Sequence, residues 1–168
     1  MKRNTIWTML VVGMLLLSLP AIAKEKDEYT CSSIDIAGEW GTTMTGTVFA
    51  PTGAVPFAAV SKAAYDFAGN YWGTQTRSSN GTVSRVTFRG TYTVNSDCTG
   101  TKTTRSYDQS GNLLNTATQD FVLTNNAQEI FEIFTSNVLT NGVAIPMVVT
   151  GNSKRLFPDS MWERFYQR

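Results

Sequence analysis

Thr82-Val83-Ser84-Arg85-Val86-Thr87-Phe88-Arg89-Gly90-Thr91-Tyr92-Thr93-Val94 is the stretch from which the fold can be read. Val86, Phe88, Tyr92 and Val94 share one parity, and Arg85, Thr87, Arg89, Thr91 and Thr93 share the other. A period of two belongs to a pleated strand with one buried and one wet face. Gly90 falls on the buried parity, where a missing side chain permits the sharp bend of a barrel corner.

Turn chemistry extends this reading in both directions. Asn80-Gly81 is the favoured two-residue hairpin dipeptide, because both of its positions take positive φ. It links Tyr71–Ser79 to Thr82–Val94, and Ala68-Gly69-Asn70 links Pro56–Phe67 to Tyr71–Ser79. Asn95-Ser96-Asp97 turns the chain into Cys98–Tyr107. Ser110-Gly111-Asn112, Asn125-Asn126-Ala127 and Asn141-Gly142 mark later reversals, the last before Val143–Arg155. With Gly38–Ala50 in front, this makes about eight strands joined by successive hairpins, the pattern of an up-and-down antiparallel sheet. An open sheet of that size would leave two bare edges and an exposed apolar face. The expected fold is therefore all-β, a closed antiparallel barrel, with a Greek-key β-sandwich as the alternative. Pro146 argues against full closure, since a central strand cannot lose a ladder donor, and it marks a bulge or the seam.

The ends of the chain read differently. Lys2 and Arg3 precede an apolar run from Met9 to Leu19, and Pro20-Ala21-Ile22-Ala23 ends in a small-x-small cleavage pattern. The run falls short of the ~20 apolar residues that span a bilayer, and no cysteine follows the cut. Residues 1–23 are expected to be a removed signal peptide, 24–37 a polar lead-in, 38–157 the barrel and 158–168 a helical tail. In the tail, Ser160 and Glu163 fit a capping box. Met161, Trp162, Phe165 and Tyr166 would then share one helix face, for a barrel mouth, the outer wall or a protein partner. The destination is the periplasm or the external medium.

Losing Lys2 and Arg3 leaves 12 basic side chains against 13 acidic ones. A mature net charge near −1 with no basic cluster argues against nucleic acid or an anionic membrane as partner. Cys31 and Cys98 would enter an oxidising compartment, where a structural bridge is expected; no C-x-x-C suggests a redox pair. Closing that loop stabilises the fold by roughly 4 kcal/mol in the chain-entropy treatment.

The chain has no histidine, which removes Ser-His-Asp and Cys-His catalysis and His-based zinc sites. Bridged cysteines supply no thiolate, and neither a phosphate-binding glycine loop nor a calcium loop is present. No cofactor or metal is implied. Chemistry would rest on carboxylates, tyrosines, arginines and cavity shape.

Glu132 lies among Ile130, Phe131, Ile133 and Phe134. With Ile130 and Phe134 inside it is a buried acid, and with Phe131 and Ile133 inside it is an ordinary surface residue. Tyr71 and Gln75 alternate with Gly73 on one face, while Tyr65, Phe88 and Tyr92 have apolar same-parity neighbours. With Trp40, early on the first strand, and Glu132, these make the candidate ligand-binding set. Arg77, Arg85 and Arg89 lie on threonine-rich faces and read as solvated.

Gly90-Thr91-Tyr92-Thr93-Val94-Asn95-Ser96-Asp97-Cys98-Thr99-Gly100 resembles a family of small secreted bacterial proteins, largely unassigned in function, that carry G-T-Y-T-V-N-x-D-C-T-G-T. Gly53–Val60, Gly73–Thr76 and Ser153-Lys154-Arg155 look similar too, so the resemblance spans most of the mature chain to about Phe157. At fold level such chains look like calycin barrels, the group of lipocalins and allene oxide cyclases. Gly38-Glu39-Trp40 has the spacing of the lipocalin G-x-W pattern. The resemblance implies a central cavity for a small apolar or amphipathic ligand, and no catalytic residue carries over. Three functions follow as expectations: a binding barrel, a cyclase or isomerase that orients its substrate in a shaped cavity, and a protein-interaction module with a filled barrel.

Overall fold

The structure is a computed structural model that describes residues 30–156. The signal peptide and the tail helix expected at 158–168 lie outside the described residues. A short helix, α1 (Ser33–Ile36), precedes eight strands: β1 (Gly38–Ala50), β2 (Gly53–Tyr65), β3 (Asn70–Ser79), β4 (Thr82–Val94), β5 (Thr99–Tyr107), β6 (Leu113–Thr124), β7 (Glu129–Leu139) and β8 (Met147–Arg155). Each strand pairs antiparallel with the next, and β8 returns to β1, closing the barrel. The sandwich alternative is excluded.

The turns follow from local chemistry. Asn80 and Gly81 have φ of 49° and 81°, the double positive that a tight hairpin requires. Two other hairpins share the pattern Asp-x-x-Gly-Asn. Asp66 Oδ1 accepts from the amides of Ala68 and Asn70, and Oδ2 accepts from Asn70 Nδ2. Asp108 holds Ser110 and Asn112 in the same way. Each aspartate is thus the anchor of its own turn.

Gly90 faces inward, opposite Tyr71 and Thr104. A Cβ there would lie 1.9 Å from the Thr103 carbonyl oxygen, so the close approach of β4 and β5 at this corner depends on glycine.

Pro146 sits just outside β8, which begins at Met147 rather than at Val143 as the sequence suggests. The β7–β8 ladder runs only from Glu129–Lys154 to Ile133–Thr150. Beyond it the contacts include a bridge from Val138 to Ala144, the Ile145 amide on the Asn137 carbonyl at 2.8 Å and the Leu139 amide on the Val143 carbonyl at 2.9 Å. The proline therefore marks the seam, where the two strands part at one end of a barrel closed at the other.

That closed end is the apolar core. Ile36, Trp40 and Ile130 have no exposed surface, and they pack with Tyr65, Tyr92, Phe121 and Leu123. α1 lies over them as a plug within a segment expected only as lead-in. Trp40 Nε1 donates to the Ile36 carbonyl at 2.8 Å, and the Arg155 guanidinium covers the Trp40 ring at 4.6 Å. Arg155 also donates to the carbonyls of Asp35 and Ala37. The Cys31–Cys98 disulfide fastens this plug to the β4–β5 turn across 67 residues.

Candidate functional site

The other half of the barrel is hollow. A cavity of about 460 Å³ extends from the aromatic core to the end that carries the Asn80-Gly81 hairpin. It exists because the inward residues change character along the barrel axis. Near the plug they are Trp40, Tyr65 and Ile130; farther out, β2 and β6 present Ala63, Ser61 and Ala117, too small to meet at the centre.

Polar groups cluster at its inner limit. Lys102 points inward from β5, between inward-facing Gly100 and Thr104. Its Nζ pairs with Glu132 Oε2, reaching past β6, and both side chains are buried. It also donates to the Tyr65 hydroxyl at 3.1 Å. Glu132 packs against Gly151, where a Cβ would come within 2.5 Å of its Oε1. Burial alone would lower the Lys102 pKa, but the Glu132 carboxylate and the tyrosine oxygens outweigh it and hold the ammonium above its ordinary range. Burial raises the Tyr65 and Tyr71 hydroxyls, with Lys102 acting in the opposite sense. The lysine stays charged and the phenols stay neutral at physiological pH.

A second chain of hydrogen bonds runs beside the first. Thr104 Oγ1 donates to Gln119 Oε1 at 2.9 Å, which leaves the threonine oxygen to accept from the Tyr71 hydroxyl. Tyr65 and Tyr71 stack with centroids 4.9 Å apart. Two tyrosines thus form one flat surface, each held by its own polar anchor. Higher on the wall, Gln75 Nε2 donates to the Met44 sulfur at 3.3 Å, and Thr42 bonds Ser153 at 2.7 Å.

The structure divides the candidate set. Tyr65, Tyr71, Gln75 and Phe88 line the cavity. Trp40 and Tyr92 belong to the plug, because α1 and the β2–β3 turn use their polar atoms. The Tyr92 hydroxyl donates to the carbonyls of Ser33 and Asp66. Glu132 takes the inward parity, with Phe131 and Ile133 outside, yet it sits behind Lys102 and off the cavity wall. It is half of an ion pair rather than an isolated acid. Arg85 and Arg89 are exposed, whereas Arg77, expected in solvent, lines the cavity mouth. The reason is register: Arg77 pairs with Ala59 and Ser84 on the inward parity.

Lys102 is the residue that sequence reasoning missed. Thr99-Gly100-Thr101-Lys102-Thr103-Thr104 has no apolar residue on either parity to declare a face. The one available signal was its counter-charge, since an inward Glu132 requires a buried cation. Among the described residues no group of three or more His, Cys, Asp or Glu side chains is placed to hold a metal, and no helix is long and apolar enough to cross a membrane.

No family model and no curated protein matches the chain. Its fold does match solved structures. One, described as EF1p2_mFAP2b bound to DFHBI, has a TM-score of 0.51 at 11% identity, over 73% of this chain and 94% of that one. A redesigned β barrel, mFAP1, bound to DFHBI, gives 0.48 at 14% identity, over 73% and 97%. The likeness is one of barrel architecture alone.

Proposed function

We propose that this chain is an exported barrel that binds one small amphipathic molecule in the cavity above the Tyr65–Tyr71 stack. The observation that carries this reading is the hollow itself: about 460 Å³ of space, open at one end and walled by aromatic, aliphatic and hydrogen-bonding side chains. That is the size and mixed lining of a small-molecule site. A filled barrel, which the interaction-module reading needs, is at odds with it. The cyclase reading asks for a carboxylate or free tyrosine at the substrate. Among the described residues the wall carries no carboxylate, and both tyrosine hydroxyls are engaged. Tyr65, Tyr71, Phe88 and Gln75 are the proposed contacts, with Lys102 and Glu132 as positioning residues that fix the stack. The basic Lys2-Arg3 start, the apolar leader and the disulfide together support export into an oxidising compartment.

Ala117 is the place to test this, because it is buried on the wall and its side chain can be enlarged into open space. Ala117→Trp should keep the β-sheet circular dichroism and cooperative unfolding of the parent while abolishing uptake of the uncharged dye N-phenyl-1-naphthylamine. Undiminished uptake by a folded A117W protein would place binding elsewhere and defeat the proposal.

A further inference from the structure

We infer that the molecule taken up is an organic anion, seated with its apolar body on the aromatic floor and its acidic group on Arg77 at the mouth. This rests on the binding-barrel reading and adds the ligand's charge and orientation. Among the described residues two cations line the cavity, Lys102 and Arg77, and no aspartate or glutamate does. The two are not equivalent. Lys102 is neutralised from behind by Glu132, so the inner end presents no uncompensated charge. Arg77 has no ion-pair partner among the described residues.

The geometry at the mouth suits an anion. Arg77 Nε donates to Ser84 Oγ at 3.1 Å, using one of five donors on a planar fork. That bond orients the guanidinium while leaving other N–H groups for a carboxylate or sulfonate. Ser79 and Thr82 lie on the same two strands, at the next inward positions toward the rim, and supply hydroxyl donors beside it. Phe57 lies opposite Ser79 and Met44 opposite Ala59, Arg77's own partner, and with Phe88 farther in they offer an apolar wall. Partial burial strips water from the guanidinium and disfavours its charge, a cost that an anionic partner offsets. A neutral ligand would leave that cost in place.

Two dyes with one ring skeleton separate charge from shape: 1-anilinonaphthalene-8-sulfonate, and N-phenyl-1-naphthylamine, which lacks the sulfonate. Fluorescence titration of the disulfide-intact protein should give at least about tenfold tighter binding of the anion, a difference of about 1.4 kcal/mol. Arg77→Gln should weaken the anion far more than the neutral dye and so remove most of that preference. Equal or tighter binding of the neutral dye to the parent protein would overturn the inference while leaving the cavity reading intact. Equal weakening of both dyes by R77Q would overturn it too. Failure of both dyes to bind would remove the cavity reading and this inference together. The parent-protein comparison decides the matter even if R77Q does not fold.

Discussion

Lys102 and Glu132 are the pair whose behaviour separates a positioning role from a merely tolerated burial. Each is shielded from water, so removing one partner leaves a charge with neither solvent nor counter-ion. Lys102→Met should therefore destabilise the protein by about 3–5 kcal/mol in urea unfolding, and adding Glu132→Leu should recover much of the loss. A K102M variant of unchanged stability would contradict the pairing. The same site sets an alkaline limit. Lys102, Tyr65 and Tyr71 all have folded pKa values raised above their unfolded ones. Their stabilisation is complete below the unfolded values of about 10 and is lost as pH rises beyond them. Unfolding midpoints followed from pH 8 upward should fall once that region is reached. Half of this site was legible beforehand. Tyr65 and Phe88 announced their parity through apolar neighbours, but Tyr71 and Gln75 shared with Gly73 a face that could be core or wet, Glu132 fits either face of an apolar strand, and Lys102 stands in a strand with no apolar side to reveal it.

At the scale of elements, hairpins were readable because their determinants lie within a few residues. Asn80-Gly81 needs only its own two φ angles. Asp66 and Asp108 likewise act inside their own turns, which yields a test in acid. Hydrogen bonds from Asn70 and Asn112, side chain first and then amide, hold these carboxyls below the usual aspartate range. Depressed folded pKa values give stability that is present above the unfolded value of about 3.9 and is lost as pH falls through the folded one. The double variant Asp66→Asn/Asp108→Asn should melt below the parent at pH 7, with the gap closing below about pH 4. A gap independent of pH would mean that the carboxylate charge does not matter to these turns. α1 was not legible for the opposite reason. Its four residues are held by Arg155, Trp40 and Tyr92, partners that a local reading cannot supply. The seam at Pro146 was half legible: proline forbids a ladder bond, but that the β7–β8 ladder already stops at Ile133–Thr150 cannot be read from the proline alone.

The whole molecule is a barrel with two unlike halves, one packed and covalently tied, the other open. The disulfide lies with the plug, at the end away from the mouth, so its contribution of roughly 4 kcal/mol supports the scaffold rather than the ligand site. Closure was the expectation because it hides both edges of eight hairpin-linked strands, and the register excludes the sandwich that was its alternative. Whether the interior was hollow did not follow, since the alanines of β2 would serve a tightly filled barrel equally well. Inward side chains from eight strands must be summed at each level, and only the register supplies that sum.

The most direct test of the central claim, a cavity that carries one small molecule, is mass spectrometry of the protein purified from its own source, with native and denaturing conditions compared. The account predicts a chain beginning at Lys24, two hydrogens lighter for the Cys31–Cys98 bridge. Under native conditions alone it should carry a single added mass, and that mass should belong to an acidic organic molecule released on denaturation. A bare chain mass under native conditions, from protein that also takes up neither dye, would contradict it.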